Sequence, residues 1–420
     1  MKQSIKENID HPEQLEKLYQ ADKKNFKNKF FELYDEISTY KSASFWKARL
    51  EFDAKSESNS IVKKTDIYYL IITCLITGFL VKLPQLFDLN LTDYFYYEKN
   101  VGLIMLMGLS AYSFLTKSKL NHNHLMLSIG VFTVSAIYIN LLPSNRDSDS
   151  INLAYMHLPL LLWCLYGLIF IDFDTKDKSK RIDYIKYNGD IAILAAIILI
   201  TGGILTAVTL RLFSVIELDI EKFYSDYIVI IGLVSVPIIA TYIVKNFPSV
   251  TNKIAPIIAT IFSPLVLITL VIYLISMLIT GKIDLYNDRN FIVIFNGMLL
   301  GVMAIIVFSV SENSTHKKQR FNELILFALT SVTLVIDLVA LSVIIYRLGT
   351  FGFTPNRTAI LGSNLLIFGN LILIMIDLYK VLFKGKEIKT VELTIANYLP
   401  LYIVWTIFMT FFFPIIFGMK

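Results

Sequence analysis

The sequence predicts an all-α fold: a polytopic transmembrane helical bundle of about eleven spans, preceded by an N-terminal region of amphipathic helices. Three observations predict it. Of the 420 residues, 55% are apolar and only 17% charged, against about 25% charged in an ordinary soluble protein. The apolar residues fall in long runs of spanning length, parted by short polar loops. The basic residues of those loops alternate between rich and sparse along the chain.

The first region, residues 1–64, is charged and helix-patterned. Leu15, Leu18 and Tyr19 form one short apolar stripe, and Phe26, Phe30, Leu33, Tyr34 and Ile37 a longer one at helical spacing. His11-Pro12 followed by Glu13 reads as a helix start. Phe45, Trp46, Leu50 and Phe52 suggest a third amphipathic piece, and Ser56 to Ser60 a break before the membrane part. The polar, Lys-rich N-terminus predicts no cleavable signal peptide. Such a region packs on the membrane part or at the lipid surface, where its lysines favour anionic headgroups. Its sharper use is to dock a cytoplasmic protein partner.

Residues 65–420 form the transmembrane domain. Spans are expected near 66–83, 100–116, 124–142, 152–171, 190–213, 227–245, 254–280, 290–311, 321–346, 357–383 and 395–417. Loops on one side carry Lys63 and Lys64; Lys117 and Lys119; Lys176, Lys178, Lys180, Arg181 and Lys186; Lys245 and Lys253; Lys317, Lys318 and Arg320; and Lys380, Lys384, Lys386 and Lys389. The other side carries only Lys99, Arg146, Lys222, Lys282, Arg289, Arg347 and Arg357. By the positive-inside rule the N-terminus is cytoplasmic and the C-terminus extracytoplasmic. A miscounted span would invert the bias in every later loop, and no inversion occurs.

An ionisable group in hydrocarbon is costly, so it faces the bundle interior and has a partner or a task. The ninth span carries Glu323, Thr330 and Asp337 at seven-residue spacing, and the tenth Asn356, Ser363, Asn370 and Asp377 at the same spacing. Seven residues is nearly two helical turns, so each set shares a face. At 1.5 Å per residue Asp337 lies about 15 Å below Arg347, near the expected depth of Ser363 and Asn364, with Asn370 nearer the middle. One reading of Glu323, Thr330, Asp337, Ser363, Asn370 and Asp377 is polar glue between helices. The other is a seam lining a path for a solute, proton or lipid headgroup. The charge of Asp337 speaks for the second, because glue needs none.

Other features read as structure. Asn296 and Asn397 are single amides suited to helix–helix contacts. Pro237, Pro256, Pro264 and Pro400 imply kinks. Gly202 and Gly203, with Thr206 and Ala207, suggest close helix packing. Cys74 and Cys164 lie in apolar runs and read as small packing residues. His122 and His124, two residues apart, cannot share one helix face and read as lone interfacial histidines unless an irregular loop brings them together on a metal. His157 has no carboxylate at i+4. No metal and no cofactor is expected. Asp172 and Asp174 form an Asp-x-Asp pair in a loop of mixed charge, more typical of a solvated loop than of a cation site. There is no phosphate loop, nucleophile elbow or zinc-hydrolase motif, which argues against an enzyme. The basic residues follow membrane topology and give no sign of nucleic-acid binding.

Between the ninth and tenth spans runs Tyr346-Arg347-Leu348-Gly349-Thr350-Phe351-Gly352-Phe353-Thr354-Pro355-Asn356-Arg357. Arg347, Phe351, Gly352, Thr354 and Arg357 resemble the Arg-x-x-x-(Tyr/Phe)-Gly-x-Thr-x-x-Arg stretch of a bacterial multi-pass membrane family, domain-of-unknown-function family 4153, and of its relative 4173. The resemblance implies a bacterial inner-membrane protein and supplies no reaction. Physically, Gly352 permits a sharp turn. Thr354 can cap the next helix, with Pro355 at its first position. Arg347 and Arg357 end on one side, as a brace for the turn or as an extracytoplasmic site for an anion or headgroup. The expected function is a permease-like or lipid-handling transporter in a lipid bilayer. The rival is a membrane scaffold or sensor acting through residues 1–64.

Overall fold

The computed structural model describes residues 1–60, 64–87, 95–145, 147–215, 219–247, 262–272, 274–275, 289–313 and 320–419. Lys63, Arg146, Lys253, Pro256, Lys282, Lys317 and Lys318 lie outside the described residues. The chain divides into two units, Met1–Ile67 and Tyr68–Lys420. The sequence places the division at 64.

The first unit holds α1 (Lys2–Glu7), α2 (Pro12–Ala21), α3 (Lys23–Ile37) and α4 (Lys41–Ser60). Pro12 opens α2, and the Asp22 side chain caps α3 by accepting from the Asn25 N–H at 3.0 Å. The predicted stripes become its core: Leu15, Phe26, Phe30, Ile37 and Leu50 are fully buried, with Trp46 packed among them. Phe45, assigned to the same apolar piece, is exposed instead. The break expected at Ser56–Ser60 is absent, because α4 continues through Ser60. Lys2–Glu32 and Lys6–Glu36, each at 2.7 Å, tie α1 to α3. The lysine hydrogen bonds hold both carboxyls below their ordinary range.

The second unit holds α5 from Tyr68 onward (full span Lys64–Lys82), α6 (Tyr96–Leu115), α7 (His122–Leu141), α8 (Asp149–Phe170) and α9 (Lys178–Val215). A short α10 (Glu221–Phe223) passes through a π-helical stretch into α11 (Ile230–Asn246). Then come α12 (Phe262–Ile272), α13 (Arg289–Asn313), α14 (Arg320–Phe351), α15 (Pro355–Lys384) and α16 (Lys389–Ile407), which runs through a second π stretch into α17 (Phe413–Ile416). Among the described residues there is no strand. Among the described residues, eight helices are long and apolar enough to cross a membrane. They match eight of the eleven runs. The second run became α6, whose first turn carries Glu98, Lys99 and Asn100 and which buries much of its length in the bundle. The seventh and eighth fall on α12 and α13, where the described apolar stretches are shorter, Phe262–Ile272 and Phe295–Ser311.

Two apolar clusters organise this unit. One joins α6, α7 and α8 with parts of α5, α9 and α11. The other joins α12 to α16 through residues such as Leu299, Leu329, Leu371 and Ile395. Glycines set the closest approaches: a Cβ on Gly108 of α6 would strike Thr77 of α5, and one on Gly362 of α15 would strike Trp405 of α16. Gly202 and Gly203 do not act this way, since nothing described lies within 4 Å of either Cβ position. Asn397 is exposed and does not serve as a buried helix contact. Pro237 and Pro400 sit inside α11 and α16, and Pro264 in the first turn of α12.

Helix ends are closed by cations from other helices or loops. Lys245 Nζ donates to Thr116 O at the end of α6 (3.1 Å), Lys99 Nζ to Leu142 O at the end of α7 (2.9 Å), and Lys117 Nζ to Ile169 O at the end of α8 (2.9 Å). Each supplies a proton donor to a carbonyl the helix cannot satisfy itself and complements the negative end of its dipole.

These packing contacts give a direct contrast. Gly108→Ala should lower the thermal unfolding midpoint of the detergent-solubilised protein, with a cost of about 1–3 kcal/mol from overpacking against Thr77. Gly202→Ala should leave the midpoint unchanged or raise it, because alanine is the better helix former.

Candidate functional site

The seven-residue sets on α14 and α15 meet different fates. Thr330 is fully buried, yet its hydroxyl donates to Leu326 O of its own helix at 2.8 Å. Ser363 likewise donates to Ala359 O at 2.8 Å. Neither joins two helices. Glu323 is half-buried in the first turn of α14. Asp377 is spoken for: Lys380 Nζ donates to its Oδ1 at 2.7 Å, and the Thr394 hydroxyl of α16 donates to Oδ2. Asn370 also turns to α16, its Nδ2 donating to the Tyr402 hydroxyl at 3.0 Å, while its Oδ1 is buried and accepts nothing from the described residues. Asn356 is half-buried in the first turn of α15.

Asp337 differs from all of these. It is 0% exposed, and neither carboxyl oxygen accepts a hydrogen bond from any described residue. The partners expected across the hairpin are not bonded to it. Its neighbours along α14, Leu334, Ile336 and Ala340, belong to the apolar cluster. Because α14 continues to Phe351 and α15 starts at Pro355, the register differs from the one the sequence suggested. At 1.5 Å per residue Asp337 lies about 21 Å below the end of α14, and Asn370 about 22 Å below the start of α15. Asn370, and not Ser363 or Asn364, shares the height of Asp337. Asn364 sits above them, 1% exposed, with its Nδ2 unpaired among the described residues.

A third helix contributes at the same level. Asn296 of α13 has both amide atoms buried and unpaired among the described residues. Counted from Asn313 it lies about 25 Å into α13, and Asp337 counted from Arg320 lies about 25 Å into α14. The sequence offered Asn296 as a lone amide; α13 packs on α14, so Asn296 and Asp337 stand at similar heights on neighbouring helices. Helices of one apolar cluster thus carry, at similar heights, one carboxyl group and several amide groups with unused hydrogen-bonding capacity. Leaving such groups unpaired costs a few kcal/mol each for neutral ones and more for a charge.

The turn between α14 and α15 is built as a brace. Gly352 takes φ +75, the Thr354 hydroxyl accepts from the Arg357 N–H at 3.4 Å, and Pro355 follows at the first helical position. Arg357 Nη1 donates to Phe351 O at 2.8 Å and Gly352 O at 2.9 Å, which closes the end of α14. Both guanidinium groups lie over the exposed ring of Phe351, Arg347 at 5.7 Å and Arg357 at 5.3 Å. Arg357 is thus engaged in structure. Arg347 keeps one buried Nη1 unpaired among the described residues.

Asp172 and Asp174 do not face a common cation. Lys117 donates to Asp172 Oδ1 at 2.8 Å, with His124 Nδ1 at 3.6 Å from the same oxygen, and Lys180 pairs with Asp174 at 2.6 Å. The Lys117 hydrogen bond holds the Asp172 carboxyl below its ordinary range. His157 Nδ1 contacts Leu153 O of its own helix at 2.8 Å, and both cysteines are free. Among the described residues no three His, Cys, Asp or Glu groups cluster for a metal.

One polar chain escaped sequence reasoning. Ser113 of α6, Tyr166 of α8, Tyr187 of α9 and Thr241 of α11 link hydroxyl to hydroxyl, and Thr241 ends the chain on Pro237 O at 2.8 Å. It ties four helices together and leaves none of these four oxygens unpaired. A tyrosine within an apolar run resembles ordinary packing, so only spacing across four helices could have revealed it.

No family model, curated protein or solved structure matches the chain.

Two outcomes test the local chemistry. Arg357→Gln should lower the unfolding midpoint through the two lost carbonyl bonds, by about 1–3 kcal/mol, while Arg347→Gln should leave it nearly unchanged. Asp172 has a folded value below its unfolded one, so its pairing contributes stability above about pH 4 and loses it as pH falls further. Asp172→Asn, tolerated at its φ of +55, should therefore destabilise at pH 7 by no more than about 1 kcal/mol. Its unfolding curve should merge with that of the parent protein near the acid limit.

Proposed function

We propose that the chain is an integral membrane protein of the bacterial inner membrane and works as a permease-like transporter. Its solute path passes the polar layer on α13, α14 and α15. The observation that carries this reading is Asp337, a fully buried acidic side chain with no hydrogen-bond partner among the described residues. A bundle that only spans has no use for an acid there, since hydroxyls bonded within their own helices would fill the space at less cost. In transporters, solute and ion sites lie near the bilayer midplane between packed helices. The alternation of basic loops supports a cytoplasmic N-terminus and an extracytoplasmic C-terminus. The stretch Arg347 to Arg357 supports kinship with family 4153. A lipid-handling role fits the same frame, with Arg347 as the headgroup contact.

The second reading is a scaffold or sensor. It draws on the first unit, which packs a core of its own and leaves Phe45 exposed. Water access separates the two. Single cysteines placed along α15 from Ser363 to Asp377, in membranes, should label with a water-soluble maleimide at helical periodicity in a transporter. Uniform protection along α15 would overturn the transport reading and leave the scaffold.

A further inference from the structure

We propose that the layer of Asn296, Asp337 and Asn370 binds a monovalent metal cation, the coupling ion or the cargo of the transport reading on which this proposal rests. Four oxygens supply the donor set: both of Asp337 and the amide oxygens of Asn296 and Asn370. All four are buried and unpaired among the described residues. Oxygen donors of this kind suit hard cations of the sodium and potassium class, and none is a soft ligand.

Charge selects the valence. The layer holds one acidic group and otherwise neutral amides. A single positive charge neutralises it, whereas a divalent ion would leave a net charge in an apolar cluster, at a cost of several kcal/mol. A proton would also neutralise Asp337. The single O–H so formed could donate to at most one of the amide oxygens of Asn296 and Asn370, whereas a metal cation satisfies both. The geometry supports a shared layer. Asn296 and Asp337 lie at equal heights from the connected ends of α13 and α14, and Asn370 falls within about one turn of them. The side chains flanking all three, among them Phe295, Leu334 and Leu371, belong to one apolar cluster. Asn370 is steadied by its bond to Tyr402, which leaves its oxygen free.

The test uses the full chain, purified in detergent, with its thermal unfolding midpoint read in NaCl, KCl or choline chloride at equal ionic strength. An alkali cation should raise the midpoint saturably by about 2 °C or more over choline, as expected for a ligand bound only by the folded state. Asp337→Asn should abolish the rise. Asn296→Leu or Asn370→Leu should raise the half-saturating concentration about 10-fold, one lost ligand being worth roughly 1.4 kcal/mol. Tyr402→Phe, which loosens Asn370 but keeps its oxygen, should retain a saturable rise. Equal midpoints of the parent protein in all three salts overturn the proposal whether or not any variant folds. So does a response to pH alone, which would assign the layer to a proton. Periodic labelling of α15 without a cation effect would sink this proposal and spare the transport reading. A cation effect with uniform protection would keep the cation site and overturn its transport role.

Discussion

Backbone polar groups that an apolar surrounding cannot satisfy govern this molecule. Inside a helix the ladder satisfies them, but the last carbonyls of every helix are left over. In α6, α7 and α8 a lysine from elsewhere reaches one of them, and in α14 an arginine reaches two. Basic residues near the helix ends thus serve by their geometry. Lys99 shows this most clearly. Its side chain is almost wholly buried, yet its ammonium group bonds Leu142 O and the Ser144 hydroxyl. The exposed end of one helix becomes the partner of the next, and this fixes which ends can lie together.

The same rule governs the interior. Thr73, Thr77, Ser128, Ser235, Thr330 and Thr333 are buried and return their hydroxyl protons to carbonyls in their own helices. Polar atoms are thereby consumed without tying helices to one another. Where helices are tied, the links are few and specific. Asn100 and Asn140 exchange amide bonds between α6 and α7, and the Tyr166–Tyr187 chain gathers four helices. Close glycine contacts supply the rest, and dispersion between apolar side chains completes the packing.

What the sequence disclosed follows from these rules. Apolar runs reported eight helices of spanning character correctly, because length and composition suffice. The N-terminal core was legible at Phe26, Phe30 and Ile37, since helical periodicity marks a buried face. The turn at Gly352 and Thr354 was legible because its backbone demands are local. The seam was not. Periodicity placed Thr330 and Asp337 on one face, but it cannot say whether a hydroxyl folds back on its own helix. It placed Asp377 in the seam of the ninth and tenth spans, although Thr394 of α16 and Lys380 take that carboxylate. Depth was misjudged because helix ends were set one turn short at Arg347. Gly202 and Gly203 had the right spacing for packing, but a motif says nothing about whether a neighbour is present.

The two apolar clusters therefore differ in kind. In the first, the buried cation Lys99 is bonded and the Tyr166–Tyr187 chain is closed. Its leftover polar atoms include the hydroxyls of Ser110 and Ser135, unpaired among the described residues. A lone hydroxyl costs little next to a lone carboxylate. In the second, a carboxyl group and the amides of Asn296, Asn364 and Asn370 keep unused valences at neighbouring depths. Stability alone would favour replacing them with apolar side chains of similar volume. An acid held against that gradient, deep in α14 and between α13 and α15, is better explained by something that comes and goes than by something that holds the helices together. That contrast is the physical ground on which the proposed transport path is assigned to the second cluster.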